Sequence, residues 1–336
     1  MTNPTTSAAA PRAVRRYLGR LAAFLCALAL PFALLIGFIG FVPETSQQSL
    51  LYTLHYKLDL LRDTRGQGNR ILIAGGSASE YGVNCAAIAE ATARPTYCVG
   101  VTAYLGVEMY LNMLTRYAEP GDTVILMLEH LLLRGAGVDY QVLWQACGTD
   151  PDAWACVPPT LYLGAAASAG QYLASRWPAN WSPWPPANLR WTSYSDPPGE
   201  TPHSDDFGPL GDVTLVRENI LEHGYNTQDP VTLNAGILDE TAVHSIRRFA
   251  EKMADRGVTV LFTHAPLNAL CIQSGEADNL AYAAAAREAL GLPVLVDYPA
   301  AIMEAEWFYD SNNHLNTAGA ARYTAWLLEA LDGLEI

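Results

Sequence analysis

The sequence predicts an α/β protein: a three-layer α/β/α sandwich around a mainly parallel sheet of five strands, preceded by one transmembrane helix. Two observations carry this prediction. From residue 70 onward, short apolar runs alternate with segments of helical periodicity, which is typical of a parallel sheet covered by helices on both faces. Near the N-terminus, residues 21–42 form an almost uninterrupted apolar run, long enough to cross a bilayer as a helix.

The predicted elements follow in order after the apolar run. Residues 43–69 are polar and helix-prone, and we expect a stalk that packs onto the domain at 70–336. Strands are expected near 70–75, 96–100, 123–128, 258–263 and 293–297. Helices are expected near 79–91, 106–117, 240–256, 277–290 and 317–331. Functional residues of such a sheet gather at the carboxyl ends of its strands.

An insertion at about 131–238 separates the third strand from the fourth. It holds six of the eight tryptophans, which are Trp144, Trp154, Trp177, Trp181, Trp184 and Trp191. The stretch at 177–186 is rich in proline, and we expect neither a regular helix nor a central strand there. These rings predict either a lid or sugar-binding platform, or a simpler arrangement in which they cover the insertion's own small core or rest near a membrane surface.

The charges around the apolar run set its predicted orientation. Arginines precede it, and no acidic residue occurs before Glu44. By the positive-inside rule, residues 1–20 form a cytoplasmic basic tail and residues 21–42 a transmembrane signal anchor. The sequence therefore predicts a single-pass membrane protein with its N-terminus in the cytoplasm and its main domain extracytoplasmic. A cleaved signal peptide is the alternative, although its apolar core is normally shorter and no clear cleavage site follows Phe41.

The overall charge narrows the class of partner. The chain carries 20 Lys and Arg against 34 Asp and Glu, which gives a formal net charge of −14 at neutral pH. Such an acidic surface argues against nucleic acid as a partner and against adhesion to anionic lipid headgroups. Its simplest meaning is solubility.

Five cysteines lie outside the apolar run, and they are Cys85, Cys98, Cys147, Cys156 and Cys271. Cys147 and Cys156 flank a short turn of suitable size for a local disulfide, and Cys85 and Cys98 lie on neighbouring predicted elements. Connectivity does not follow from sequence, and an odd number leaves one cysteine over. Free buried thiols are the alternative for each of them.

A candidate nucleophile follows the first predicted strand. The segment at 71–84 places two glycines and Ser77 between an apolar run and a helical pattern. The glycines allow a sharp turn, and the start of the next helix directs its N–H groups to the same place. A hydroxyl there can act as a nucleophile, whereas the simpler interpretation is a serine that caps a helix after a tight turn.

A candidate base and its orienting acid lie near the C-terminus. Asp310 precedes His314 by four residues in a polar loop at 307–316, just before the last predicted helix. A serine nucleophile needs a base to take its proton and a carboxylate to orient that base. Polar loops also contain Asp and His for turn and capping reasons, so the loop gains meaning only together with Ser77.

In the order of these segments the chain resembles the SGNH/GDSL hydrolase superfamily. It is most similar to the membrane-anchored bacterial branch, which includes the teichoic-acid D-alanine transfer protein and exopolysaccharide acetyltransferase accessory proteins. The middle of the resemblance is the segment at 98–110, followed by a Pro-Gly-Asp turn and a strand that ends in Glu129-His130. The resemblance covers roughly residues 70–135 and 239–332, and it implies an SGNH/flavodoxin-like fold.

The resemblance implies a role for several residues. Ser77 would be the nucleophile, His314 the base and Asp310 its orienting acid, while the backbone N–H groups of Ser77 and Gly100 would form the oxyanion hole. The chain departs from the superfamily pattern in two ways. Glu129 stands where an asparagine normally supplies an amide to the oxyanion, and the Asp–His spacing is one residue longer than usual.

Further polar residues are expected at the rim of the same site. Candidates for lining it are Gly76, Glu129, His130, His264 and Asn313. Histidines and carboxylates at strand ends could instead bind zinc, but none of the spacings is a recognised zinc pattern, so no metal and no cofactor are expected.

These features predict an extracytoplasmic serine esterase or O-acyltransferase. By resemblance, its substrate would be an acylated cell-envelope polysaccharide or another acyl ester, and its partner could be a membrane-bound O-acyltransferase. The alternative is a catalytically degenerate protein of the same fold that binds glycans or assists assembly of the polysaccharide machinery. The distance between the Ser77 hydroxyl and the His314 ring discriminates between the two.

Overall fold

A computed structural model describes residues 9–41, 53–135, 137–148, 150–181, 207–220 and 230–334. The chain divides into two compact units, one of residues 1–45 and 169–192 and the other of residues 46–168 and 193–336. In the smaller unit, helix α1 spans Ala9–Phe41. None of the helices among the described residues has both the length and the apolar character that crossing a membrane requires. The transmembrane helix predicted at 21–42 is therefore not supported.

The remaining elements alternate along the chain as an α/β fold requires. The strands are β1 (Ile71–Gly75), β2 (Thr96–Cys98), β3 (Thr123–Leu128), β4 (Thr259–His264), β5 (Leu267–Asn268) and β6 (Ile302–Met303). The helices are α2 (Thr53–Asp63), α3 (Ser77–Gly82), α4 (Cys85–Thr92), α5 (Val107–Tyr117), α6 (His130–Leu133), α7 (Tyr140–Cys147), α8 (Pro151–Trp154), α9 (Tyr162–Trp181), α10 (Glu240–Ala254), α11 (Glu276–Leu290) and α12 (Thr317–Asp332).

The central sheet is parallel and has the strand order β2-β1-β3-β4. Every residue of β1, β2 and β3 is buried, which explains why these strands read as continuous apolar runs rather than as alternating ones. In the register of β1 and β3, Gly75 lies opposite Met127. The residues that follow these two strands therefore leave the sheet side by side.

The prediction of a fifth strand near 293–297 is wrong for the described sheet, which has four strands. In this region Val294 forms only an isolated parallel bridge to Phe262 of β4. The Val296 N–H donates to the Thr263 hydroxyl at 3.2 Å instead of to a backbone carbonyl. Beyond the bridge the backbone pairing shifts by one residue, because the His264 N–H donates to the Val296 carbonyl at 3.0 Å, and no regular strand follows.

Two other expected boundaries also differ from the structure. The helix predicted at 79–91 is two helices, since Asn84 caps the start of α4 by accepting a hydrogen bond from the Ala87 N–H at 3.0 Å. Helix α9 continues to Trp181 and therefore includes Pro178, where no regular helix was expected. A single proline removes one helical hydrogen bond, which kinks a helix without always ending it.

Helix α2 packs into the core of the larger unit with an amphipathic face. Leu54, Leu58 and Leu61 recur at helical spacing and are fully buried. Lys57 is buried beside them, and its Nζ lies 3.2 Å from Oε1 of the equally buried Glu80 on α3. An ion pair without solvent thus connects α2 to the helix that begins at Ser77.

The cysteines and the described tryptophans of the insertion take the simpler of their two interpretations. All six cysteines are free thiols, so neither predicted pair is a disulfide. Trp144 and Trp154 pack edge to face, with ring centres 4.6 Å apart, and both indole N–H groups donate to backbone carbonyls of the insertion. Trp184 and Trp191, and the side chains of Trp177 and Trp181, lie outside the described part of the chain.

Candidate active site

Ser77 is the first residue of α3 and follows β1 after a one-residue turn at Gly76. This turn admits no side chain at Gly76. A Cβ there would lie 2.2 Å from Oε1 of Glu129 and 2.7 Å from the backbone nitrogen of Ala103, both far inside contact distance. The glycine is thus required by the close approach of two neighbouring segments, and it leaves Ser77 at the carboxyl end of the sheet.

The structure brings the three residues predicted to form a triad into one chain of hydrogen bonds. His314 Nε2 lies 2.8 Å from Ser77 Oγ, and His314 Nδ1 lies 2.7 Å from Asp310 Oδ1. A carboxylate only accepts, so Nδ1 donates to Asp310 and Nε2 is left to accept the Ser77 proton. Both the histidine and the aspartate side chains are largely buried, at 17% and 25% exposure.

The loop that carries Asp310 and His314 is fixed at both ends. The Tyr309 N–H donates to the His314 carbonyl at 2.8 Å, which closes the loop on itself. Within it, the Ser311 hydroxyl accepts hydrogen bonds from the N–H groups of Asn313 and His314. The four-residue spacing between acid and base therefore fits a compact loop, and the extra residue relative to the superfamily pattern does not separate them.

The C-terminal side of this loop is held by Asn316, which caps α12 by accepting from the Gly319 N–H at 2.8 Å. On the other side, the Asn313 amide donates to the Pro266 carbonyl at 3.0 Å, just after β4. Asn313 thus attaches the loop to the segment that follows β4 through its side chain. Its role in the structure is to place the loop.

Tyr81 is part of the site although the sequence analysis did not single it out. Its ring stacks on the His314 imidazole, with ring centres 4.0 Å apart and planes 6° from parallel. The Arg217 guanidinium lies 5.2 Å from the centre of the Tyr81 ring and donates to the Tyr81 carbonyl. Burial and the neighbouring Asp310 raise the pKa of Tyr81 far above its usual range, so it stays neutral. The available signal was its position four residues after Ser77, one helical turn away.

Glu129 leaves the end of β3 directly beside the nucleophile turn. Its Oε2 accepts from the Gly76 N–H and its Oε1 from the Ala78 N–H, each at 3.0 Å. The side chain is almost fully buried, and burial raises its pKa, while these N–H groups and the nearby His314 act in the opposite direction. Glu129 therefore faces the backbone of the turn, where it binds two of the donors that begin α3.

The N–H groups of the turn show which donor is left for an oxyanion. The first N–H groups of a helix have no partner within that helix. Those of Gly76 and Ala78 bind Glu129, and that of Ser79 donates to the Gly76 carbonyl at 3.1 Å. The Ser77 N–H is the remaining donor beside the nucleophile.

Gly100 packs closely against the turn that carries Ser77. A Cβ at Gly100 would lie 1.9 Å from Ser79 Oγ, which explains the glycine as a packing requirement. Burial raises the pKa of the neighbouring Cys98 thiol to about 11. The expected oxyanion role of Gly100 stays a prediction.

The two remaining histidines predicted at the rim are buried away from the triad. His264 ends β4 and lies with Nε2 3.1 Å from Asp297 Oδ1, its ring stacked on Tyr298. His130 begins α6, and burial lowers its pKa to about 4. Neither is hydrogen-bonded to Ser77 or His314. Across the ranges that the structure describes, no three His, Cys, Asp or Glu side chains gather in a way that could hold a metal ion.

Neither models of known protein families nor curated protein sequences match this chain. A hydroxyl, an imidazole and a carboxylate stand in one hydrogen-bonded line, and the Ser77 N–H beside the hydroxyl has no hydrogen-bond partner among the described residues. Such an arrangement can transfer an acyl group through a covalent intermediate.

Proposed function

We propose that this protein is an SGNH-like serine esterase or O-acyltransferase that acts on acyl esters of cell-envelope polysaccharide. The observation that supports the proposal is the line of contacts from Ser77 Oγ through His314 to Asp310, with distances of 2.8 and 2.7 Å. Both distances are within the reach that proton transfer needs even before a substrate binds.

The proposed reaction proceeds in two stages. Ser77 Oγ attacks the ester carbonyl carbon while His314 Nε2 takes its proton, and Asp310 stabilises the imidazolium that forms. The carbonyl oxygen becomes an oxyanion, which the Ser77 N–H can bind. When the intermediate collapses, His314 returns the proton to the leaving alkoxide and an acyl-serine remains. Water or a sugar hydroxyl then attacks that ester, with His314 again as the base.

The substrate and the setting of the reaction rest on the resemblance described above. Polysaccharide esters are the substrates it implies, and a membrane-bound O-acyltransferase is the partner it implies. The proposal also retains an extracytoplasmic site and attachment through residues 21–42. Separation of membranes from soluble fractions, with and without residues 1–42, measures that attachment.

Covalent labelling tests the chemistry. A fluorophosphonate probe is expected to label the wild-type protein at Ser77, and an activated acetyl ester is expected to be hydrolysed. Ser77→Ala should abolish labelling and lower turnover by at least about 10³-fold. Ser245→Ala is the matched control, because Ser245 lies on α10 and binds Glu108 instead of the site.

Full ester turnover by the Ser77→Ala variant would refute the proposal. A wild-type protein that resists the probe but binds an envelope glycan would instead favour the non-catalytic alternative. Product analysis with a sugar acceptor separates hydrolysis from transfer, since only transfer places the acyl group on the acceptor.

A further inference from the structure

We infer that Glu129 is a positioning residue whose carboxylate fixes the Gly76–Ser77–Ala78 turn and thereby presents Ser77 to His314. The inference rests on the proposed acyl-transfer function and extends it. It assigns a role to the side chain that stands where the superfamily pattern has an amide donor to the oxyanion.

The sheet explains why Glu129 reaches this turn. Gly75 and Met127 lie opposite each other in the parallel register of β1 and β3. Two residues further on, Ser77 and Glu129 stand beside one another above the same sheet edge. The absence of a side chain at Gly76 then leaves the room that the carboxylate occupies.

Both carboxylate oxygens of Glu129 are committed to the turn. They bind the N–H groups of the residues before and after Ser77, each at 3.0 Å, and the side chain is only 3% exposed. Hydrogen bonds to an ionised carboxylate are stronger than neutral ones, and they compensate in part for its burial. Because the residues on either side of Ser77 are held, the backbone position of Ser77 is fixed from both directions.

This contact pattern gives Glu129 a different effect from that of an amide. A carboxylate has no proton to donate, so it cannot bind an oxyanion. It leaves the Ser77 N–H as the free donor of the turn and acts on the reaction through the placement of Ser77. Errors of about 1 Å in such placement cost on the order of 10²-fold in rate.

The substitution Glu129→Gln distinguishes positioning from simple repulsion by the sign of its effect. If Glu129 only repelled the oxyanion, glutamine would raise turnover. If Glu129 positions the turn, glutamine must place its NH₂ group against one of the two N–H donors, because an amide has a single acceptor oxygen. One hydrogen bond is then lost and two donors face each other. We expect kcat for an activated ester to fall about 10- to 100-fold, with little change in KM.

Glu119→Gln is the matched control. Glu119 lies near the opposite end of β3 and also accepts a backbone hydrogen bond, from the Gly66 N–H at 2.7 Å. Its replacement by glutamine repeats the same chemical change far from the turn and is expected to leave kcat unchanged. Equal losses in both variants would show a general effect on folding and overturn the inference.

Amide hydrogen exchange, followed by NMR, measures the contact without any activity. In the wild-type protein, the Gly76 and Ala78 amides should exchange slowly, and in Glu129→Gln at least one of them should exchange at least about 10-fold faster. Rapid exchange of both amides in the wild type would overturn the inference even if the variant failed to fold. Unchanged exchange or a raised kcat in Glu129→Gln would also overturn it. A wild type that is not labelled at Ser77 but shows the protected amides would refute the proposed function and leave the contact established.

Discussion

Replacement of Lys57 by methionine should destabilise the larger unit by about 3–5 kcal/mol near pH 9, the usual cost of removing one partner from a buried ion pair. Lys57 and Glu80 both have fully buried side chains, and Lys57 also donates to the Gly211 carbonyl and lies 4.7 Å from the centre of the Phe207 ring. Methionine keeps most of the stem volume, so the loss is chiefly electrostatic.

The size of this effect should depend on pH. Burial raises the pKa of Glu80 to about 8, although Lys57 opposes the shift. In the unfolded chain a glutamate has a pKa of about 4.3. The folded protein therefore holds a proton that the unfolded chain releases, and this contribution to stability falls as the pH rises between those values. Without Lys57 the pKa of Glu80 rises further. In Lys57→Met the free energy of unfolding should therefore keep falling above pH 8, at about 1.4 kcal/mol per pH unit.

Urea denaturation followed by tryptophan fluorescence measures the free energy of unfolding of wild type and variant, near pH 6 and near pH 9. The loss in Lys57→Met should be clearly smaller near pH 6, because a protonated Glu80 carries no unpaired charge. The double variant Lys57→Met/Glu80→Leu should recover most of the stability, since an apolar pair replaces the ionic one. A loss below about 1 kcal/mol at both pH values would refute the reasoning.

Three further changes test the site and its surroundings. Asp310→Asn should lower ester turnover by about 10³- to 10⁴-fold, because an amide does not hold His314 in the required tautomer. The control Asp332→Asn, at the far end of α12, should hydrolyse the ester at the wild-type rate. Equal rates in the two variants would contradict the role of Asp310. His130→Phe should remove an acid sensitivity: burial lowers the pKa of His130 to about 4, so stability is lost as the pH falls from about 6.5 toward 4, by about 3 kcal/mol. If the free energies of unfolding of wild type and variant changed equally between those pH values, the prediction for His130 would be wrong. Gly76→Ala should lower the free energy of unfolding by about 1–3 kcal/mol through overpacking and reduce fluorophosphonate labelling, because its Cβ would lie 2.2 Å from Glu129. A variant with the stability and the labelling of the wild type would contradict this prediction.

Much of the architecture follows from local sequence pattern. The expected strands near 70–75, 123–128 and 258–263 agree with β1, β3 and β4 within about two residues, because buried parallel strands are continuous apolar runs. The region near 293–297 has similar composition but forms no regular strand, since its pairing with β4 shifts by one residue where Val296 also binds the competing Thr263 hydroxyl from a distant segment. No pattern within the region itself reveals that competitor.

The residues of the candidate site also fall into those that a local sequence pattern predicts and those that depend on distant contacts. Ser77, Asp310 and His314 could be singled out because each lies in a local pattern of turn, loop or helix start. The proposed role of Glu129 could not, since it depends on the register between β1 and β3 and on the space above Gly76. Arg217 was missed for a related reason: its contact with Tyr81 joins residues 136 positions apart. Tertiary contacts of this kind leave no periodic trace in the sequence.

The hydrogen bond between Ser77 and His314 joins residues 237 positions apart, which affects the order in which the site forms during synthesis and folding. Ser77 lies in the first strand-to-helix turn of the sheet, whereas its base arrives with the loop before the final helix. During N-to-C synthesis the nucleophile exists for most of the process without a partner to take its proton. A chain that ends between residues 77 and 314 would carry the serine and lack the histidine. The proposed ester chemistry would thus begin only when the last part of the chain has folded onto the first.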